Sequence, residues 1–328
     1  MVLKTVRWGI IGCGDVTELK SGPAFNKVRG SELIAVMRRD KAKARDYALR
    51  HHVSKWYDDA GEIIRDPDIN AVYIATPPLY HAEYAIQSLK AGKPVYVEKP
   101  MAAVYRDCVR MNKVSEETGI PLFVAYYRRS LPYFIKVMEM IQEGKIGNIL
   151  SVNVKFISAA RKEDYDKNYL PWRVNREVAG GGYFYDMACH QLDILDYFFG
   201  QISEVYGVFS NRKGLYEAED TVASSFKFEN GIIGTGLWSF VADERSKADK
   251  IQITGESGSI LFSAFDFTPI MLQTKDKTLE FRPDNPENIQ YYLIKDVVED
   301  LQGTGKSPSN GTTGARTSKV MDIILQKL

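Results

Sequence analysis

Asp186 and His190 stand four positions apart in Asp186-Met187-Ala188-Cys189-His190, a spacing that puts both side chains on one face of a helix. A carboxylate within reach of an imidazole orients the ring and favours its protonated form, leaving a proton carrier that titrates near neutral pH. By itself this spacing is more commonly a surface ion pair. Three glycines, Gly180 to Gly182, run just ahead of the pair and suggest a backbone that passes close to a ligand before it enters the helix. A third chemical group is Lys99 in Glu98-Lys99-Pro100. A lysine at a strand end is usually a solvated charge, but Pro100 fixes the local turn and with it the direction of the amine.

The segment Gly12-Cys13-Gly14-Asp15-Val16-Thr17 carries two of the three glycines of the dinucleotide fingerprint, with Thr17 in the third position. The first glycine permits a tight turn, the second lets a pyrophosphate approach the backbone, and the following helix offers unpaired N–H groups. Any tight strand-to-helix turn can carry two glycines, so position decides: an apolar run precedes this one and an amphipathic run follows it. Further on, Met37-Arg38-Arg39-Asp40 puts Arg38 where a site for NAD has an acid for the ribose 2′-OH. A guanidinium suits a 2′-phosphate, so NADP(H) is favoured, with NAD(H) still possible. The plain alternative is two solvated arginines, with Asp40 reaching a hydroxyl.

Ala75-Thr76-Pro77, with His81 shortly after, and Glu98-Lys99 end two other apolar runs. Strand ends of a doubly wound sheet line the ligand crevice, so both segments should face the nicotinamide end of a dinucleotide. Trp172-Arg173 could touch the cofactor or a polar substrate, and packing is an equal reading. His51 and His52 read as solvated. Cys13 and Cys189 read as small buried side chains, and no His, Cys and carboxylate cluster has metal-site spacing.

Elements must hold these groups in place. Strands are expected at 6–11, 33–37, 71–75, 94–97 and 122–125, with helices at 16–27, 41–51, 81–91 and 105–118. The runs are continuously apolar, as in a parallel sheet covered on both faces, and the βαβα order gives a doubly wound α/β domain over residues 1–125. Residues 126–328 have a different texture. A helix at 133–143 leads into more alternating strands at 149–158, 205–210, 221–228, 232–241 and 251–254. Asn230-Gly231 marks a hairpin, and a closing helix is expected at 315–327. This half reads as a mostly antiparallel sheet with a few helices. Residues 306–313, rich in Ser, Gly, Pro and Thr, read as a surface loop.

The 328 residues are about twice the usual domain length, which fits this division. Lys plus Arg is 43 and Asp plus Glu is 42, so no global field draws nucleic acid or an anionic membrane. No apolar run is long enough to span a bilayer, and no signal-peptide core follows the N-terminus. Three cysteines without a pairing pattern point to a reducing compartment, and the cytoplasm fits best.

Taken together, these segments resemble the Gfo/Idh/MocA family, named for glucose-fructose oxidoreductase, inositol dehydrogenase and MocA. The resemblance rests on Gly9-Ile10-Ile11-Gly12-Cys13-Gly14, on Ala75-Thr76-Pro77 with His81, and on Ala91-Gly92-Lys93-Pro94-Val95 leading to Glu98-Lys99-Pro100. It is completed by Gly180-Gly181-Gly182 leading to Asp186 and His190, and it extends over nearly the whole chain. It implies an N-terminal Rossmann domain and a C-terminal α/β domain with a large open, mostly antiparallel sheet, through which homodimers or homotetramers form. It also implies hydride exchange between a nicotinamide cofactor and an alcohol or carbonyl of a sugar, polyol or related small molecule. Lys99, Asp186 and His190 become the catalytic set, and Gly12, Cys13, Gly14, Asp15, Val16, Arg38, Arg39, Ala75, Thr76, Pro77, His81, Glu98, Lys99, Trp172 and Arg173 the cofactor contacts. Two further classes stay open: a redox-neutral glycosidase with retained NAD, and a non-catalytic nucleotide sensor. Thr17 and Arg38 depart from the family pattern.

Overall fold

Apolar runs bounded by Gly and Pro set the first sheet. The computed structural model describes residues 2–328. In chain order the first elements are β1 (Val6–Ile11), α1 (Asp15–Leu19), α2 (Gly22–Lys27), β2 (Ser31–Met37), α3 (Lys41–Arg50) and β3 (Lys55–Tyr57). They are followed by α4 (Ala60–Arg65), β4 (Ala71–Ile74), α5 (His81–Lys90), β5 (Val95–Val97), α6 (Tyr105–Thr118) and β6 (Leu122–Val124). The six strands form one parallel sheet in the order β3-β2-β1-β4-β5-β6. This is the doubly wound Rossmann arrangement expected from the sequence, with its order reversing between β1 and β4.

Next come α7 (Pro132–Gln142), β7 (Ile149–Ile157), α8 (Arg176–Ala179), α9 (Gly182–Phe199), β8 (Ile202–Ser210), β9 (Thr221–Phe228) and β10 (Ile233–Ser239). The remainder is β11 (Ala248–Gly255), β12 (Gly258–Phe262), β13 (Ile270–Thr274), β14 (Thr278–Phe281), α10 (Tyr291–Leu301) and α11 (Gly311–Ile324). The second sheet runs β14-β13-β12-β11-β7-β10-β9-β8, antiparallel except for the parallel β7–β10 pair. Its strands alternate buried and exposed residues, as in β9 and β10, because helices cover one face only. α9 lies on that face: Trp238 Nε1 donates to Gln191 Oε1 at 2.6 Å, and the Phe184 and Trp238 rings are 5.3 Å apart.

The chain divides into two compact units, residues 1–131 with 285–315, and residues 132–284 with 316–328. The linear division at 125 therefore omits a return of the chain to the nucleotide unit. α10 explains it. Leu293, Ile294, Val297, Val298 and Leu301 are buried in one cluster with Val6, Trp8, Phe25, Tyr96 and Phe123. Each such side chain gains about 1.5–3 kcal/mol on burial.

Other differences have local causes. The single helix expected at 16–27 is two, α1 and α2, because Pro23 cannot donate an N–H to the turn before it. Residues 306–313 are not a surface loop. Ser307 and Ser309 are buried, Ser309 Oγ donates to Val124 O at 2.7 Å, and Thr313 N donates to Asn310 Oδ1 at 3.1 Å as α11 starts. β12 to β14 were not expected, since they are short and two carry no strict alternation. The Asn230-Gly231 hairpin is present between β9 and β10, with Gly231 at φ +92°.

Candidate active site

In the nucleotide unit, β1 ends at Gly12, whose φ is +97°. A Cβ there would lie 2.8 Å from Thr76 Cγ2 and 2.9 Å from Thr76 N, so only glycine lets the turn cross the end of β4. Gly12 N and Cys13 N both donate to Met37 O, at 2.9 and 3.0 Å, which ties the turn to β2. At Gly14 a Cβ would meet no atom within 3.9 Å, the nearest being Gly12 O at 4.0 Å; this glycine leaves open space instead of relieving a clash. Thr17 is fully buried, and its Oγ1 donates to Gly14 O at 2.7 Å. The helix behind the turn, α1, has only five residues, so its dipole is small. Cys13 is buried, which pushes its thiol up to about 12; it is no nucleophile.

Arg38 leaves β2 half-buried, its Nη1 donating to Cys13 O at 3.3 Å. Arg39 is exposed, with its guanidinium 5.2 Å from the Tyr80 ring centre. Asp40 is the N-cap of α3 and accepts from Lys43 N at 3.1 Å, which engages the carboxylate that could have met a ribose hydroxyl. His51 is not simply solvated. Its ring stacks on Tyr47 at 4.1 Å and its Nε2 lies 2.7 Å from Glu18 Oε2. Arg50 grips the same carboxylate in a fork at 2.8 and 2.8 Å, which holds Glu18 down at about 2.

At the ends of β4 and β5, His81 is fully buried, with Nε2 2.7 Å from Thr76 O and Nδ1 3.1 Å from Pro100 O. Burial lowers its pKa to about 4. The neutral ring has one N–H, so it donates to one of these two carbonyl oxygens and only packs against the other. Thr76 Oγ1 is shielded from solvent and has no hydrogen-bond partner. Glu98 is buried: its Oε1 accepts from Tyr73 OH and from Gln290 Nε2, both at 2.6 Å, and its Oε2 accepts from Lys99 N at 3.2 Å. Gln290, just before α10, was not foreseen; no local motif marks a partner 192 positions away.

In the other unit, Asp186 and His190 lie on α9 one turn apart, as the spacing requires. Asp186 Oδ2 is 3.4 Å from Arg173 Nε. His190 is buried and meets the Phe265 ring edge-on, with centroids 5.8 Å apart. The glycines before α9 serve the protein's own packing. A Cβ on Gly181 would fall 2.3 Å from Tyr185 Cδ2, and one on Gly182 would fall 2.5 Å from Ala218 Cβ. Arg173 also lies over Trp172, at 4.6 Å, in a short 3-10 turn. Beside the first turn of α9 opens a cavity of about 310 Å³, walled by Phe156, Tyr183, Met187 and Phe240, with Arg161, Glu244 and Lys247 at its polar side. Apolar walls with a few charged groups are the usual make-up of a small-molecule pocket.

Residues 6–126 match the model described as the oxidoreductase family, NAD-binding Rossmann fold, and residues 134–261 match the GFO/IDH/MocA C-terminal domain. The chain is 36% identical over 323 residues to Oxidoreductase P35 of Formosa agariphila, covering 97% of this chain and 98% of that protein. It belongs to the Gfo/Idh/MocA oxidoreductase family. A 1,5-anhydro-D-fructose reductase of Ensifer adhaerens is 24% identical, with 94% of this chain and 92% of that protein covered. A levoglucosan dehydrogenase solved with NADH and levoglucosan has the same fold. Its TM-score is 0.87 at 24% identity, and 98% of this chain and 96% of that chain are covered.

The residues present fit the dinucleotide for which the family's N-terminal domain is named. The open space at Gly14 would leave room for a pyrophosphate beside the backbone, and the orphaned Thr76 hydroxyl would gain a partner. Thr17 is accommodated by its bond to Gly14 O. Among the described residues no group of three His, Cys, Asp or Glu could hold a metal, and no helix is long and apolar enough to cross a membrane.

Proposed function

We propose that this family member is an NAD(P)-dependent dehydrogenase or reductase acting on a secondary alcohol or carbonyl of a sugar, polyol or related small molecule. The observation that carries the reading is the presence of Lys99 at the end of β5, its backbone N–H held by Glu98, together with Asp186 and His190 one turn apart on α9. When bound, the dinucleotide supplies or accepts a hydride at nicotinamide C4. Gly12, Cys13, Gly14, Asp15 and Val16 would hold its pyrophosphate, and Ala75, Thr76, Pro77, Trp172 and Arg173 would shape the rest of its site. Lys99 donates a hydrogen bond to the reacting oxygen of the substrate. His190 takes the alcohol proton in oxidation and returns it in reduction, while Asp186 orients the imidazole.

NADP(H) is the preferred cofactor in this reading. Arg38 stands half-buried beside the glycine turn, and Asp40 is engaged in capping α3. A 2′-phosphate would meet a guanidinium fork there, and a bare hydroxyl would meet no aligned acid. Glucose, levoglucosan, inositol and ketose panels with either cofactor, followed at 340 nm, test the activity. Absence of both nucleotide binding and any absorbance change would remove the reading's support. Free exchange and turnover of cofactor would exclude a redox-neutral hydrolase.

The assembly proposed is a homodimer or homotetramer through the second sheet. On the face away from α9, Tyr206, Val208, Ile233 and Leu237 are exposed, and β8, β9 and β10 align Val208, Ala223 and Leu237 in one row. Light scattering on the purified protein reads the outcome directly. The buried positions of Cys13, Cys108 and Cys189 are compatible with the reducing cytoplasm proposed for it.

A further inference from the structure

We infer that Gln290 is a positioning residue for Lys99, acting through the buried carboxylate of Glu98. The inference rests on the reading of Lys99 as the group that holds the reacting oxygen, and it concerns what keeps that lysine in place.

Gln290 is almost completely buried and uses both ends of its amide. Its Nε2 donates to Glu98 Oε1 at 2.6 Å, and its Oε1 accepts from Tyr96 OH at 2.8 Å. The two acceptor–donor pairs fix which way the amide faces. Glu98 Oε1 takes a second bond from Tyr73 OH at 2.6 Å, so only Oε2 is left to receive the Lys99 N–H at 3.2 Å. On the far side of Lys99, the buried His81 ring packs against the Pro100 carbonyl, with Nδ1 3.1 Å from Pro100 O.

The main chain of Gln290 extends the link. Its N–H donates to Lys20 O at 3.1 Å, and Asn288 Nδ2 donates to Leu19 O at 2.6 Å. One buried residue, through its main chain and its side chain, therefore connects the end of α1, behind the glycine turn, with the strand end that bears Lys99. A buried carboxylate is held in one orientation by its donors, and the loss of one leaves it with fewer fixed directions. Without Gln290, only Tyr73 OH and the Lys99 N–H remain on Glu98, so the carboxylate is free to rotate and the Lys99 backbone loses a fixed acceptor.

The test reads the position of Lys99 itself. The full-length protein is labelled with ε-¹³C lysine, and the Lys99 signal is assigned by its loss in Lys99→Arg. In wild type one sharp Lys99 resonance is expected, shifted by added NADH or NADPH. In Gln290→Leu it should broaden or split. Gln290→Glu gives the stronger test. When protonated, the new acid can donate to Glu98 and accept from Tyr96 as the amide does. When ionised, it sets two carboxylates against each other. Its Lys99 signal should match wild type at acid pH and convert reversibly to the Gln290→Leu form as pH rises. Tyr96→Phe removes only one bond and keeps the test available if Gln290→Leu does not fold; it should broaden the signal less. A Lys99 signal unchanged in all three variants at every pH overturns the inference. Full turnover by Lys99→Ala would instead overturn the role given to Lys99, with these spectra unaffected.

Discussion

Arg173 Nε stands 3.4 Å from Asp186 Oδ2, so the carboxylate expected to orient His190 already has a guanidinium beside it. The pair is only partly shielded, with side-chain exposures of 35% and 19%, so its effect on stability is small. Its effect on geometry is larger, because it fixes one oxygen of Asp186. Arg173→Ala is expected to lower kcat more than it weakens nucleotide binding. Stopped-flow turnover and fluorescence titration of NADPH compare the two, and an equal loss in both would leave Arg173 with its cofactor contact alone and no part in holding Asp186.

Lys99→Ala and His190→Ala should each cut turnover by about 10²- to 10⁴-fold, the usual contribution of a positioned proton donor or acceptor. The Kd for dinucleotide should stay close to that of wild type. Steady-state kinetics beside binding titrations decide the matter; a parallel collapse of binding would contradict the roles assigned.

Arg38→Asp should reverse the cofactor preference. A charge-assisted contact to phosphate contributes about 1.5–3 kcal/mol, which converts to roughly a 10- to 100-fold change in the ratio of NADP to NAD efficiency. An unchanged kcat/KM ratio would show that the 2′ position is read elsewhere.

His81 links stability to pH. Its folded pKa is lowered from 6.5 to about 4 by burial, so the unfolded chain binds the extra proton first. The stabilisation is fully present above pH 6.5 and is lost as pH falls through 4, by about 3 kcal/mol over the window. Urea titrations between pH 4 and 7 should show this slope in wild type. His81→Gln should be less stable at pH 7 and should lack this contribution to the slope.

Val208→Glu with Leu237→Lys places charges on the open face of the second sheet, on residues whose exposure is 69% and 39%. If that face joins subunits, light scattering should show the mass fall to that of one chain while the far-ultraviolet circular dichroism is unchanged. A mass identical to wild type would move the interface elsewhere.

Much of the nucleotide half was legible in the sequence because its signals are local. Val6–Ile11, Ala71–Ile74 and the Gly12 turn declare themselves through apolar runs and a single required φ. The pattern of Asp186 and His190 was equally local, one helical turn. What stayed hidden depends on distant partners. The periodicity of Tyr291–Leu301 could indicate a helix, but nothing in it says that Leu293 and Val297 pack beside Trp8. The need of Glu98 for Gln290, and of Asp186 for Arg173, follows from three-dimensional proximity. The crowding of Gly181 by Tyr185 and of Gly182 by Ala218 was likewise not read from the sequence.

The return of residues 285–315 to the first unit has a consequence for biosynthesis. When a ribosome has released residues 1–131, every strand of the parallel sheet is outside, yet the surface that α10 covers is still bare. At roughly 5–20 residues per second, the nascent chain carries that uncovered surface while the next 150 or so residues are translated. Closure of the nucleotide unit is thereby deferred almost to termination, and a chain cut short by a premature stop would expose the apolar surface around Trp8 and Phe25 to chaperones and proteases.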